Sequence, residues 1–226
     1  MRYKFLLFDL DNTLLDFDAG EKQALNKLFS AHGIPVTESL LKEYHTVNRA
    51  LWQAYESGTC ALDQVLNTRF STTMRAFGKE VPGDVWEREY RAYLGEGHVL
   101  IPGAKEICER LSHTHQMYII TNGIRETQVR RLRDAGLIAY FQRIFNSESI
   151  GVQKPHLPFF SYVMAHIEEF DKAKALVIGD SQTSDIAGGQ SAGLDTCWFN
   201  KHGISDTSAI TADYKIKRLQ ELLKIV

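Results

Sequence analysis

The chain reads as an α/β protein, a doubly wound parallel sheet carrying an inserted all-helical domain. Three observations predict this. From residue 103 onward, helix-like stretches alternate with short apolar runs, the order that parallel strands joined by crossover helices require. Runs such as Leu176-Val177-Ile178 lack polar alternation, as expected for strands covered on both faces. Between the first strand and Pro102-Gly103 lie roughly ninety residues with several helical patterns and no convincing strand, about three times what a βαβ crossover needs.

The first strand is the apolar run Tyr3 to Phe8. In the insertion, Leu40, Leu41, Tyr44, Val47, Asn48, Leu51, Trp52 and Tyr55 follow the i, i+3, i+4, i+7 spacing of one helical face. Segments with Leu25, Leu28 and Phe29, with Leu62, Val65, Leu66 and Phe70, and with Val85, Trp86, Tyr90 and Tyr93 repeat the theme, which gives a small helical bundle. Hinges are expected at Asp16 to Gly20 and Gly95 to Gly103, where glycines, Pro102 and acidic residues interrupt the helical patterns. The expected division is therefore residues 1–15 and 99–226 as an α/β core and 16–98 as a helical cap. Tethered at the first strand's carboxyl end, such a bundle would act as a lid over the edge where open α/β sheets bind ligands.

The core should continue with helix Ala104 to Ser112, strand Met117 to Ile120, helix Glu126 to Ala135 and a short run around Ile144 and Phe145. Helix Pro158 to His166, strand Ala175 to Ile178, helix Ile186 to Ala192, strand Thr196 to Phe199, a short run Tyr214 to Ile216 and a terminal helix complete it.

At 226 residues, 44% hydrophobic and 24% charged, the composition is that of an ordinary globular protein able to bury a sizeable core. A formal net charge of -2 and a pI near 6.4 supply no overall basic field for a nucleic-acid polymer, so a small dissociable partner is expected. No apolar stretch approaches membrane-spanning length, and the six largely apolar residues before Asp9 are too few for a signal peptide. Cys60, Cys108 and Cys197 are an odd number at wide intervals and read as reduced, buried thiols of a cytoplasmic protein.

Chemistry-bearing residues fall at predicted strand exits. Asp9-Leu10-Asp11-Asn12-Thr13 follows the first strand directly, and carboxylates spaced i, i+2 there point to the same side. One could attack a phosphorus while the other handles the leaving group's proton; the same residues also serve as ordinary turn and capping residues. Thr121-Asn122-Gly123 offers a hydroxyl and turn N–H groups that can hold phosphate oxygens. Lys154-Pro155 can set one positive charge over the sheet edge. Gly179-Asp180 through Asp185 brings a second pair of carboxylates, Asp180 fitting as a direct Mg²⁺ ligand and Asp185 as a lysine-orienting group or a helix N-terminal charge.

A parallel sheet would gather all four at one edge. In that order they resemble the four motifs of the haloacid dehalogenase-like superfamily, whose core is Rossmann-like, and the insertion looks like that family's cap. A closer resemblance, to the bacterial pyrimidine 5'-nucleotidases, rests on Val47-Asn48-Arg49-Ala50-Leu51-Trp52, Arg69-Phe70, Ile120 to Gly123, Gly151 to Pro155, and Ser184 through Gly189 running on to Trp198.

The resemblance implies a Mg²⁺-dependent phosphomonoesterase working through an aspartyl-phosphate, a 5'-nucleotidase acting on pyrimidine nucleoside monophosphates. Asp9 would be the nucleophile, Asp11 the acid and base, and Asp9, the Asp11 carbonyl and Asp180 the metal ligands. Thr121, the Asn122 N–H and Lys154 would bind the phosphoryl oxygens, and Thr13 would fix the loop. The substrate would be a small phosphomonoester, bound by a monomer or a homodimer.

Rival readings are a phosphatase or mutase of another phosphometabolite such as a sugar phosphate, a metal-independent 2-haloacid dehalogenase, and an inactive scaffold. A dehalogenase does not need Asp11 and gains nothing from Asp180, and a scaffold would have lost one of Asp9, Asp11, Lys154 or Asp180. In the cap, Asn48, Trp52 and Arg69 are candidates for reading the base and ribose; the competing reading makes Trp52 bundle core and Arg69 an ion-pair partner. The arginines of the second core helix, Arg125, Arg130, Arg131 and Arg133, read as a solvated face.

Overall fold

The computed structural model describes residues 2–204 and 210–226. It divides into two units, Met1–Phe17 with His98–Val226, and Asp18–Gly97.

In the first unit six parallel strands, β1 (Phe5–Phe8), β2 (Gln116–Thr121), β3 (Arg143–Asn146), β4 (Ala175–Gly179), β5 (Asp195–Phe199) and β6 (Tyr214–Ile216), form one sheet of order β3-β2-β1-β4-β5-β6. The chain winds outward from β1 to β3 and then returns to β4 on the other side of β1. Strand order therefore reverses between β1 and β4, the place where open α/β sheets bind ligands beyond their carboxyl ends. Phe8 pairs with Ile178, so Asp9 and Gly179-Asp180 leave the sheet side by side.

Side-chain alternation divides the core between the two faces of the sheet. Leu6, Phe8, Ile119 and Ile178 pack on one face with Ile107 and Leu111 of α5 (Ala104–Ser112) and Leu132 of α6 (Arg125–Asp134). Phe5, Leu7, Ile120 and Val177 pack on the other with Phe159, Phe160 and Val163 of α8 (Leu157–Ala165), which follows the single-turn α7 (Ser147–Ile150). Every residue of β1 and β4 is buried, which is why their sequences show no polar alternation.

Three expectations change. Helix α9 (Ala187–Ser191) is preceded by a π-helical turn, Gln182–Ile186, instead of starting at Ile186. The terminal helix is a 3₁₀ segment, Leu219–Lys224, whose buried Leu219 and Leu222 repeat at the three-residue period of that helix. Cys108 and Cys197 are buried and free, but Cys60 is only half-buried.

The second unit contains α1 (Phe17–Ala31), which begins at the boundary, α2 (Glu38–Glu56), α3 (Leu62–Arg75) and α4 (Gly83–Leu94). Thr37 caps α2 by accepting the Leu40 N–H at 3.2 Å. Phe29, Tyr44, Phe70, Trp86 and Tyr90 meet in an aromatic core, with Phe70 stacked on Tyr44 at 5.4 Å. Among the described residues no helix is long and apolar enough to cross a membrane.

Candidate active site

The loop after β1 turns sharply because Asn12 adopts φ 58°, a left-handed conformation that asparagine tolerates better than most side chains, and its N–H reaches the Leu15 carbonyl at 2.7 Å. Thr13, fully buried, donates its hydroxyl to Asp9 Oδ2 at 3.2 Å. Asp9 is thereby fixed by its own loop at one oxygen.

Its other oxygen is fixed from a distant segment. Lys154 Nζ donates to Asp9 Oδ1 at 2.8 Å, to Asp185 Oδ1 at 2.6 Å and to the Ile120 carbonyl at 2.8 Å. The Asn122 side chain holds the lysine's backbone in register, with Nδ2 donating to the Lys154 carbonyl at 3.0 Å and Oδ1 accepting the Lys154 N–H at 2.9 Å. Asn122 is thus a clamp on the lysine loop as well as a turn residue.

Thr121 ends β2, and its hydroxyl oxygen accepts from Gly123 N at 3.0 Å and from Gln128 Nε2 at 3.0 Å. Asp185 lies within the π turn, where Oδ2 accepts the Ser181 N–H at 3.1 Å. Of the two roles open to it, orienting the lysine is the one its contacts show. Gly179 makes that approach possible: a Cβ there would lie 2.2 Å from Asp185 Oδ2.

Oxygens of Asp9, Asp180 and Asp185 all lie within 4.8 Å of one another. Three carboxylates around one ammonium leave surplus negative charge, and this raises the cost of ionising them. Burial first, then the Asp185 and Asp11 charges, push Asp9 up to about 7 against the opposing pull of Lys154. Burial, Asp9 and Asp185 likewise raise Asp180 well above the usual carboxylate range. Burial disfavours the Lys154 ammonium, yet Asp185 and Asp9 outweigh it and hold the lysine above its ordinary value. An all-oxygen donor set with excess charge suits a hard divalent cation.

The sequence pattern did not single out the partners of Asp11. Gln128 Nε2 donates to Asp11 Oδ2 at 2.7 Å, and Arg131 Nη1 donates to Asp11 Oδ1. Arg131 is 1% exposed, so it departs from the solvated face expected of it, while Arg125, Arg130 and Arg133 are exposed. The available signal was the i, i+3 spacing of Gln128 and Arg131, which places them on one face of α6.

A model of the haloacid dehalogenase-like hydrolases matches residues 3–193. The chain belongs to that family. Pyrimidine 5'-nucleotidase PynA of Streptococcus pneumoniae is 39% identical over 224 residues, covering 99% of this chain and 94% of PynA. Pyrimidine 5'-nucleotidase YjjG of Escherichia coli is 31% identical over 226 residues, covering 100% of this chain and 99% of YjjG. The HAD-hydrolase YfnB of Bacillus subtilis is 46% identical, and its crystal structure, bound to magnesium and described as revealing interdomain movement, matches with a TM-score of 0.95 over 100% of this chain and 99% of that one.

In the helical unit, Arg69 is 3% exposed and forms a two-pronged pair with Glu87, Nε to Oε2 and Nη2 to Oε1, both at 2.7 Å. Its Nη1 donates to Asn48 Oδ1 at 3.1 Å. Burial pushes Glu87 up, Arg69 pulling the other way; the paired geometry is that of two ionised groups. Arg69 therefore sits inside the bundle as an ion-pair partner with Asn48 beside it. Trp52 is half-buried and packs edge-on against Tyr55 at 5.7 Å.

Proposed function

We propose that this haloacid dehalogenase-like hydrolase is a Mg²⁺-dependent phosphomonoesterase that forms an aspartyl-phosphate on Asp9, and that its substrates are pyrimidine nucleoside monophosphates. The observation that carries the reading is the convergence of Asp9, Asp180, Asp185 and Lys154 at the strand-order reversal, with a second carboxylate, Asp11, two residues from Asp9.

In the first step an Asp9 oxygen attacks phosphorus in line as the ester P–O bond breaks, and Asp11, as general acid, delivers a proton to the departing 5'-oxygen. In the second, water attacks the same phosphorus, Asp11 takes the water's proton, and inorganic phosphate leaves with the Asp9 carboxylate restored. The Thr121 hydroxyl, the Asn122 N–H and the Lys154 ammonium stabilise the phosphoryl oxygens as charge spreads over them. Thr13 holds Oδ2 of Asp9. Asp9, Asp180 and the Asp11 backbone carbonyl would hold Mg²⁺, with Asp185 alongside; when bound, the ion supplies positive charge between an anionic nucleophile and an anionic phosphate.

The nucleotide assignment is supported by PynA and YjjG, both named pyrimidine 5'-nucleotidases, and the magnesium assignment by the ion in YfnB. Substrate choice is assigned to the helical unit, where half-buried Trp52 is the aromatic among the three cap candidates. Phosphate release from a panel of nucleoside monophosphates and sugar phosphates, with and without Mg²⁺, tests this. Metal-dependent release from pyrimidine nucleotides supports it. Preference for a sugar phosphate would overturn the nucleotide assignment, and metal-independent halide release from a 2-haloacid would overturn the phosphatase reading.

A further inference from the structure

Both oxygens of the Asp11 carboxylate are held from α6. Gln128 Nε2 bridges Asp11 Oδ2 at 2.7 Å and Thr121 Oγ1 at 3.0 Å, and Arg131 Nη1 joins Asp11 Oδ1 to Gln128 Oε1, the latter at 3.0 Å. The three side chains form a closed ring with a branch to Thr121. Its polarity is consistent throughout: the amide nitrogen faces two acceptors and the amide oxygen faces a guanidinium donor.

The ring is costly to build. Gln128 and Arg131 are 2% and 1% exposed, and taking a guanidinium out of water is unfavourable unless its partners compensate. An aliphatic side chain would fill the same face of α6 at less cost. The backbone also makes room for Gln128: a Cβ on Gly123 would lie 2.3 Å from Gln128 Nε2 and 2.7 Å from its Cδ. Thr121-Asn122-Gly123 thus supplies the hydroxyl that Gln128 contacts and the opening through which it passes.

We infer that Gln128 and Arg131 are positioning residues for Asp11, fixing the direction of its carboxylate and tying it to the Thr121 hydroxyl. This rests on the activity proposed above. A proton donor and a phosphate-binding hydroxyl anchored to one amide keep a constant separation through both chemical steps. General acid–base catalysis contributes about 100- to 10,000-fold and a displacement of about 1 Å can cost about 100-fold, so loosening the ring should remove much of what Asp11 contributes.

The test compares two substrates that differ in their need for an acid. Uridine monophosphate expels an alkoxide that must be protonated, whereas p-nitrophenyl phosphate expels a stable phenolate. Because kcat/KM reports events through the first irreversible step, Arg131→Ala should lower it about 30- to 100-fold for uridine monophosphate and less than about threefold for p-nitrophenyl phosphate, while Gln128→Ala, which also releases the Thr121 hydroxyl, should lower it for both esters and about tenfold more for uridine monophosphate. In an Asp11→Asn background Arg131→Ala should have less than about a twofold further effect, since it acts through a carboxylate already replaced, and Gln128→Ala should keep only the loss it shows on p-nitrophenyl phosphate. Arg131→Lys, which keeps the charge, should restore part of the loss.

Equal losses on both substrates, or full multiplicative losses in the Asp11→Asn background, would overturn the inference. If Arg131→Ala does not fold, Gln128→Ala decides by the same criteria. A wild-type protein that hydrolyses neither ester with Mg²⁺ present would instead sink the proposed activity, an outcome distinct from an active enzyme with no difference between the substrates.

Discussion

Replacing Lys154 by Met keeps the length of the side chain and removes its charge. The ammonium is 2% exposed and contacts Asp9 at 2.8 Å, Asp185 at 2.6 Å and the Ile120 carbonyl at 2.8 Å. Removing one member of a buried ion pair costs about 3–5 kcal/mol, because the remaining charge stays desolvated. At about 2–4 °C per kcal/mol for a chain of this size, the melting temperature should fall by roughly 6–20 °C.

The fall should also depend on pH. Asp9 is raised from 3.8 to about 7, chiefly by burial, so ionising it in place is harder than in the unfolded chain. For a carboxyl raised on folding, the stability is fully present below its unfolded pKa and is lost as pH rises through its folded one. Without Lys154 the carboxylates are still harder to ionise, so the gap between wild type and variant should be widest near about pH 8 and narrow toward about pH 5. Thermal unfolding followed by circular dichroism in chelator-containing buffer reads this. A fall under about 2 °C, or a gap that does not change with pH, would refute the reasoning.

Three further outcomes follow from other contacts. Gly123→Ala should displace Gln128, whose Nε2 lies 2.3 Å from the added carbon, and should reproduce the turnover loss of Gln128→Ala; steady-state kinetics showing wild-type rates would contradict it. Arg69→Ala should cost about 3–5 kcal/mol in chemical denaturation because it leaves Glu87 buried without its 2.7 Å partner, and a loss under about 1 kcal/mol would not fit a buried pair. Mg²⁺ at about a hundred times its dissociation constant should stabilise the protein by about 2.7 kcal/mol, and Asp180→Asn should abolish most of that shift in a melting titration; an undiminished shift would remove Asp180 from the metal site.

The sheet was legible because its strands are covered on both faces: Leu6 to Phe8 and Leu176 to Ile178 are fully buried, and that leaves an unbroken apolar signature. The exits carrying Asp9, Thr121 and Asp180 followed from those strands. Asp185 was harder to place. Local sequence offered an ordinary helix start, whereas the residue sits in a π turn that aims it at Lys154, 31 positions away. Arg131 was hidden for a similar reason. Its helix is rich in arginine, and only the partner 120 residues earlier distinguishes the one that turns inward. Periodicity reports which face a residue occupies; it does not report a buried polar partner contributed by another loop.

For the cap candidates the limiting factor was physical ambiguity at a single position. An arginine among Val65, Leu66 and Phe70 can read a ligand or neutralise a buried acid, and the acid, Glu87, lies on a different helix. Only the paired 2.7 Å contacts separate the two readings.

The most direct test of the central claim is acid-quenched single turnover with a pyrimidine nucleoside monophosphate and Mg²⁺, followed by peptide mass analysis. A transient phosphoryl group on the peptide that contains Asp9, absent from Asp9→Asn, is the expected result. Phosphate release at the wild-type rate with no such phosphopeptide, or undiminished turnover by Asp9→Asn, would contradict a covalent mechanism through Asp9.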